Sequence, residues 1–452
     1  MDIYAQFWFD TEDFITPEAD DALLALLTML KGKNVPVTFK LVGEKARVLE
    51  RRRRHDIIGL LQNTPAFEIG YHTEFHSVHP TISEYCEHMG FAEGRDAFFA
   101  RENPGRLDVE RIAGKKCVCY GQPGNTWAPQ AYPALLEMGI PVYMDSHTVI
   151  DGGKNPYWFG GMLNYLDIQF YRMELGADYG ENLRGAGEGF EAFEKSRRFL
   201  NIYYHPCEFS CTEFYDGVNF AKGNNPPREN WKPAALRTPG QMQGLIANLS
   251  EFVDFLLGRG VKLIGPSALL EMEASKNRRG MVPEDIVMAW AEKAAGGEVD
   301  YCVGDGCAIS CVEGLSLAAK KILGKPLQCA FAHGPEKEVR VQAKSFDDDM
   351  AHELAKAVLG FFEASKGDKT AQLPDTFDLP GIKIPPLDAA VILSRALVHG
   401  ERGPIEARLR PAELVNPNED WSGWIIHRED FRVPNILAMA KRQMWTFKPA
   451  VF

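Results

Sequence analysis

Over its first 270 residues the chain alternates short β-branched or aromatic runs with longer stretches of helical periodicity, the signature of parallel βα units. The candidate strands are Ile3–Phe9, Pro36–Leu41, Phe67–Tyr71, Lys116–Tyr120, Pro141–Met144, Phe199–Tyr204 and Val261–Ile264. Strands of this kind, separated by helices, predict a (β/α) barrel or a doubly wound sheet. Both architectures present functional side chains at the carboxyl ends of their strands. Between the first two strands, Thr16 is placed to N-cap a helix with Pro17 at its first position, and Leu23, Leu26, Leu27 and Leu30 then share one face. Asn248 to Leu257 reads as a second such helix, stopped by Gly258-Arg259-Gly260, and Ser267 to Glu273 closes the unit.

A polar break at Lys276-Asn277-Arg278-Arg279-Gly280 separates this α/β unit, residues 1–275, from a mostly helical domain at 281–452. Within the second domain Ile309 to Ile322 aligns with Ile384 to Leu397, and each copy follows a Gly turn and an amphipathic helix (Pro283–Ala295 and Asp349–Ala364). The spacing predicts a repeated helix, hairpin, helix unit over about 282–330 and 347–410, packing on the barrel or forming the face of a homo-oligomer. Residues from Ala412 to Phe452 are expected to return and pack on one of the domains.

Composition excludes several classes of function. A formal charge of -12, from 50 Lys and Arg against 62 Asp and Glu, does not suit a protein that coats a nucleic-acid backbone. No apolar run approaches the ~20 residues of a membrane helix, so no membrane span is expected. Nine cysteines scattered over the chain suit reduced thiols and a cytoplasmic location, or a secreted or envelope-associated one if a leader has been removed. Cys302, Cys307, Cys311 and Cys329 match no common zinc-knuckle spacing.

Chemistry concentrates at three strand ends. Asp10-Thr11-Glu12-Asp13 sets three carboxylates within four residues, which repel one another unless a cation or proton settles them. His72 and His76 follow the third strand four residues apart, a spacing that on a helical turn lets two imidazoles meet one ion. His205 follows the strand Phe199-Leu200-Asn201-Ile202-Tyr203-Tyr204 and precedes Pro206.

Together these segments resemble the polysaccharide deacetylases, carbohydrate esterase family 4 with its NodB homology domain, over roughly residues 1 to 275. Phe9-Asp10-Thr11-Glu12-Asp13-Phe14 is similar to the family's aspartate motif, and Glu68-Ile69-Gly70-Tyr71-His72-Thr73-Glu74-Phe75-His76-Ser77 to its H-[ST]-x-x-H motif. Tyr120-Gly121-Gln122-Pro123-Gly124-Asn125 resembles the third motif, Asp145 the centre of the fourth, and Ile202-Tyr203-Tyr204-His205-Pro206 the fifth.

The resemblance implies a distorted (β/α) barrel and metal-dependent hydrolysis of an N-acetyl group from an amino sugar or glycan. It implies Asp10 as general base, His205 as general acid, and a divalent ion, zinc with cobalt or nickel as alternatives, on His72, His76 and a carboxylate. Asp is the family's ligand type there, so Asp13 is the expected carboxylate, with Glu12, which the spacing favours, as the alternative ligand and otherwise a substrate-binding residue. The oxyanion would meet the metal and a backbone N–H from the turn at Gly121 to Asn125. Gln122 and Pro123 belong to that turn, Trp127 is a sugar-stacking candidate, Glu208 a hydrogen-bond partner for the acid, and Asp145 an orienter of His205. The third-motif arginine, which in the family holds the base ionised, is absent, and Gly121 or Gln122 stands there. Two other readings stay open: a ureide or cyclic-amide hydrolase of the same superfamily, and a non-catalytic glycan-binding protein.

Overall fold

The computed structural model describes residues 2–452 apart from 146, 154, 166–172, 177, 195–197, 278–279, 305, 340–345, 401–402 and 404–405. Arg278 and Arg279 of the expected polar break therefore lie outside the described residues. The strands that build the site are β1 (Tyr4–Thr11), β2 (Val37–Leu41), β3 (Phe67–Tyr71), β4 (Cys117–Tyr120), β5 (Val142–Met144), β6 (Tyr157–Phe159), β7 (Met162–Tyr165), β8 (Phe199–Tyr204) and β9 (Lys262–Leu263). They form one sheet in the order terminal strand, β6, β7, β5, β4, β3, β2, β1, β8, with β9 also paired to β1. From β8 through β1 to β5 and on to β7 every pairing is parallel.

Sequence periodicity anticipates seven of these strands and misses β6 and β7. Those two form a tight antiparallel hairpin, Tyr157 opposite Asn164 and Phe159 opposite Met162. Its turn, Gly160-Gly161, has φ of 58° and 78°, the left-handed conformation that two-residue hairpins require. Runs of three and four residues are too short to show a period, so the Gly-Gly pair was the available signal.

The order of strands is open, which separates this half-barrel from a closed (β/α) barrel among the described residues. Curling nevertheless brings β7 close to β8, where the Tyr165 hydroxyl donates to the Leu200 carbonyl at 2.9 Å. Side chains alternate across β1 as a strand requires. Phe7 and Phe9 pack outward with Phe39 and the helix Glu18–Lys33, while Trp8 faces the interior with Val142, Met144, Leu163 and Phe199. Leu23, Leu26, Leu27 and Leu30 of that helix are fully buried, each contributing about 2 kcal/mol by leaving water. Thr16 does not cap it. The Thr16 hydroxyl accepts instead from the Ala234 amide at 3.0 Å, and thereby ties two loops together beside the site.

Beyond the sheet, the chain forms helix Glu284–Ala295, a hairpin of Cys302–Gly304 and Cys307–Ile309, and helix Cys311–Ile322. It then forms helix Asp348–Ala364, a hairpin of Phe377–Leu379 and Ile382–Ile384, and helix Pro386–Val398. These elements share a core of their own around Trp290, Leu315, Val358 and Ile392. The tail behaves differently. Val415, Trp421, Phe431, Val433, Ile436, Leu437, Met444 and Phe447 join the core that covers the sheet, and Lys448–Pro449 pairs with β6. The Glu87 carboxylate accepts from the amides of Asn435 and Ile436 at 2.8 and 2.9 Å, at the N-terminus of helix Pro434–Gln443 where a negative charge is favoured. No helix among the described residues is long and apolar enough to cross a membrane.

Candidate active site

Three strand ends converge on one cleft. Asp10 and Glu12 come from the end of β1, His72 and His76 from the turn after β3, and His205 from the residue after β8. Glu12 Oε2 lies 2.7 Å from His76 Nε2 and 3.5 Å from His72 Nε2. Each ring is oriented by its other nitrogen. His72 Nδ1 is 2.9 Å from the Gly121 carbonyl, which can only accept, so the hydrogen sits on Nδ1. The Ser77 hydroxyl donates to Asp216 Oδ2 at 3.2 Å and so is left to accept from His76 Nδ1 at 2.6 Å. Both Nε2 atoms therefore turn lone pairs toward an ionised carboxylate, an arrangement that repels unless a cation or protons stand between them.

This donor set fits a divalent metal. Glu12, His72 and His76 are all buried, and their ligand atoms lie within 4.8 Å of one another. Two imidazoles and one carboxylate make the three-ligand set of hydrolytic zinc sites, and outer hydrogen bonds to the second ring nitrogen are the usual companion of such ligands. Among the described residues, neither group able to hold an ion includes a cysteine.

Asp13, the ligand selected by residue type, is placed elsewhere. Its Oδ1 accepts from the amides of Ile15 and Thr16 at 2.9 and 2.8 Å, closing the turn before the helix. In that turn Glu12, not Asp13, faces the histidines. Burial raises the Asp13 carboxyl despite nearby Lys45.

A residue that sequence reading missed places a cation beside Asp10. Lys40 Nζ, fully buried on β2, is 2.9 Å from Asp10 Oδ1 and 2.7 Å from Asp145 Oδ2, and also donates to the Met144 carbonyl at 3.1 Å. Burial opposes charge on Lys40, but the two carboxylates outweigh it and raise its ammonium above the usual range. Burial likewise opposes ionisation of Asp10, and Lys40, His72 and His205 outweigh it, so its carboxyl is lowered. The sole sequence signal was a lysine in the apolar run Val37-Thr38-Phe39-Lys40-Leu41. The second ion-capable group, Asp10, His72 and Asp145, already has this ammonium between its carboxylates.

His205 Nε2 stands 3.9 Å from both Asp10 Oδ2 and Glu12 Oε2. Glu208 orients it, its Oε2 accepting from the His205 amide at 2.8 Å and lying 3.0 Å from Nδ1. Burial would lower its imidazolium, but Glu12, Glu208 and Asp10 prevail and hold it at about 9. Asp145, expected to orient His205, is instead engaged with Lys40.

Gln122 lines the cleft and donates to the Gly124 carbonyl at 3.2 Å. Pro123 is buried in the same turn, its carbonyl accepting from the Thr126 amide. The Gly121 amide donates to the Tyr71 carbonyl at 3.2 Å, which removes it as an oxyanion donor. Trp127 is no platform for a sugar: it is fully buried, packed on His147 and Phe159, with its indole N–H donating to Tyr132 at 3.1 Å. The tryptophan that lines the cleft is Trp424, from the tail.

No protein-family model matches the chain, and no curated protein does. Solved structures overlap parts of it. A Mycobacterium smegmatis protein provisionally described as a polysaccharide deacetylase is 18% identical with a TM-score of 0.38, the match covering 59% of this chain and 88% of that one. A carbohydrate esterase family 4 pseudoenzyme from Bacillus anthracis is 12% identical with a TM-score of 0.32, covering 60% and 66%. A 4-alpha-glucanotransferase from Thermococcus litoralis is 13% identical with a TM-score of 0.40, covering 60% and 40%. Scores this low assign neither a family nor an activity.

Proposed function

We propose that the chain is a metal-dependent amide hydrolase that removes the N-acetyl group from an amino sugar or glycan. The observation that carries this reading is the convergence of two outward-turned Nε2 lone pairs on Glu12, flanked by a buried Asp10–Lys40 pair and by His205. Glu12, His72 and His76 would hold the cation, for which zinc is the first expectation and cobalt or nickel the alternatives. Bound there, a divalent cation would polarise the amide carbonyl and lower the pKa of water.

The protein's own groups divide the proton traffic. Asp10, kept ionised by Lys40, accepts the proton of the attacking water as its oxygen bonds to the carbonyl carbon. His205, protonated at neutral pH, gives its Nε2 proton to the nitrogen as the C–N bond breaks, since an amine cannot depart as an anion in water near pH 7. Glu208 keeps that ring aimed and stabilises its charge. Acetate and a free amine are the products. This reading assigns catalysis to residues 1–275 together with the returning tail, and leaves the helical repeats a packing role.

The test is acetate release from N-acetylglucosamine oligomers by zinc-loaded protein. Expected are turnover that chelation abolishes and loss of at least about 10²-fold on Asp10→Asn or His205→Ala. Zinc-loaded protein that frees no acetate from these oligomers, or a His72→Ala variant that keeps full activity, overturns the reading.

A further inference from the structure

One wall of the cleft comes from outside the α/β unit. Trp424 and Ile425, in the tail turn between Trp421 and Arg428, line a cleft of about 690 Å³ together with Phe214, Tyr203 and His147. The indole of Trp424 lies directly on Gly124, where a Cβ would come within 2.3 Å of the ring, so this position excludes any side chain. His427 packs edge-on against the indole at 4.9 Å. His427 is held in turn by the Trp421 carbonyl, 2.8 Å from Nδ1, and by the Ser83 hydroxyl, 3.2 Å from Nε2. The amides of Lys222 and Gly223 donate to the carbonyls of Ile425 and Ile426, both at 2.9 Å, and pin the turn to the barrel. A half-buried aromatic ring held this firmly is pre-organised, so little ordering entropy is lost when a ligand covers it. Ile425, 57% exposed, and Phe214, 38% exposed, extend the apolar surface within the same cleft.

His147 adds a polar group that has no partner among the described residues. Its Nδ1 accepts from the Val149 amide at 3.0 Å, which places the ring hydrogen on Nε2, and that buried Nε2–H meets no acceptor among them. Burial pushes the imidazole down to about 3, so it stays a neutral donor at any working pH. An unpaired buried donor is destabilising, a cost that a ligand oxygen would remove. No lysine or arginine among the described residues lines the cleft, and Lys40 behind it is committed to Asp10 and Asp145. Apart from His205, the charged groups that line the cleft are the acids Asp10, Glu12, Asp145, Glu213 and Asp216, an excess of negative charge that disfavours a phosphate or carboxylate ligand. An apolar aromatic wall beside neutral donors, His147 among them, suits the C–H face and oxygens of a sugar ring.

We propose that Trp424 and His147 form a subsite for an uncharged pyranose ring beside the catalytic centre, Trp424 stacking on the ring and His147 donating from Nε2 to one of its oxygens. The subsite deepens the hydrolase reading by naming the neighbouring unit of its substrate, and rests on that reading for its place along the glycan. Binding of cellotetraose, which has no acetamide, reports on the subsite alone, whereas acetate release from the N-acetylglucosamine tetramer reports on the hydrolase.

Titrations of zinc-loaded protein with cellotetraose, followed by calorimetry, make the test. Trp424→Ala should weaken binding at least tenfold and Trp424→Phe less than threefold. His147→Leu should weaken it about fivefold, with His147→Gln, which keeps an N–H donor, restoring most of the loss. The 6-carboxylated tetramer should bind at least tenfold more weakly than cellotetraose. Wild-type protein that does not bind cellotetraose overturns the proposal, as does Trp424→Ala or His147→Leu binding as tightly as wild type, whatever the acetate assay shows. Equal affinity for the carboxylated tetramer overturns the restriction to uncharged rings. Loss of acetate release alone, with cellotetraose binding and its dependence on Trp424 and His147 intact, overturns the hydrolase reading and leaves the subsite standing.

Discussion

Lys40 Nζ and Asp10 Oδ1 form a buried ion pair at 2.9 Å on adjacent parallel strands, at positions directly opposite in the register. The ammonium thus reaches the proposed base from the neighbouring strand, whereas the resembled motif would place a cation in the turn after β4. Lys40→Met should reduce kcat by at least about 10²-fold with little change in KM, because the base loses the charge that keeps it ionised. It should leave zinc content at wild-type stoichiometry, since Glu12, His72 and His76 do not touch Lys40. Removing one member of a buried charge cluster should also cost about 3–5 kcal/mol in urea unfolding. Wild-type kcat in a folded Lys40→Met protein would refute the role.

Glu12 and Asp13 are neighbours with separate assignments. Glu12→Gln should abolish stoichiometric zinc binding, measured by elemental analysis after dialysis. Asp13→Asn should retain the metal and lose about 1 kcal/mol of stability, because its carboxylate closes the turn through the Ile15 and Thr16 amides. The opposite pattern of zinc retention would return the ligand to Asp13.

Asp216 accepts from the Ser77 hydroxyl, which in turn faces His76 Nδ1, and so supports the ring of a metal candidate. Asp216→Asn should therefore weaken zinc affinity about 10- to 100-fold, as loss of an outer hydrogen-bond partner does, with the fold intact by circular dichroism. Unchanged affinity in a competition titration would show that the relay does not tune His76.

Glu102, in helix Phe91–Ala113, makes stability depend on pH. Burial pushes its carboxyl up to about 7, against bonds from the Tyr71 hydroxyl at 2.9 Å and the Glu74 amide at 2.7 Å that favour the ionised form. The native state then holds this proton more tightly than the unfolded chain, whose carboxyl titrates near the ordinary 4.5. The contribution is fully present below that value and is lost as pH rises through about 7, at most about 3 kcal/mol. Glu102→Gln keeps an acceptor for both bonds and removes the titration. Urea unfolding at pH 5 and pH 8 should show the variant gaining on wild type by about 2 kcal/mol across that interval, and parallel behaviour would exclude Glu102 as the source.

Legibility followed the range of the interaction. Asp10, His72, His76 and His205 could be read because each sits at the end of a strand whose own residues announce it. The choice between Glu12 and Asp13 could not, since it turns on which carboxylate the backbone needs to close the turn before Glu18. Trp127 and Trp424 look alike as sequence, each in a Gly-rich and polar neighbourhood, but only burial tells that the first is core and the second lines the cleft. The β6–β7 hairpin escaped because seven strand residues around Gly160-Gly161 carry no measurable period.

By itself the sequence determined the parallel βα framework and the three strand ends where carboxylates and imidazoles gather. Local periodicity and turn chemistry act over a few residues, and those suffice for such features. Tertiary structure alone decided that the sheet stays open among the described residues, that Lys40 neutralises Asp10, and that a tail some three hundred residues downstream of Gly124 lays Trp424 over it. Each of these depends on which surfaces become adjacent once strands pair and apolar faces leave water, and adjacency of that kind is a property of the packed chain.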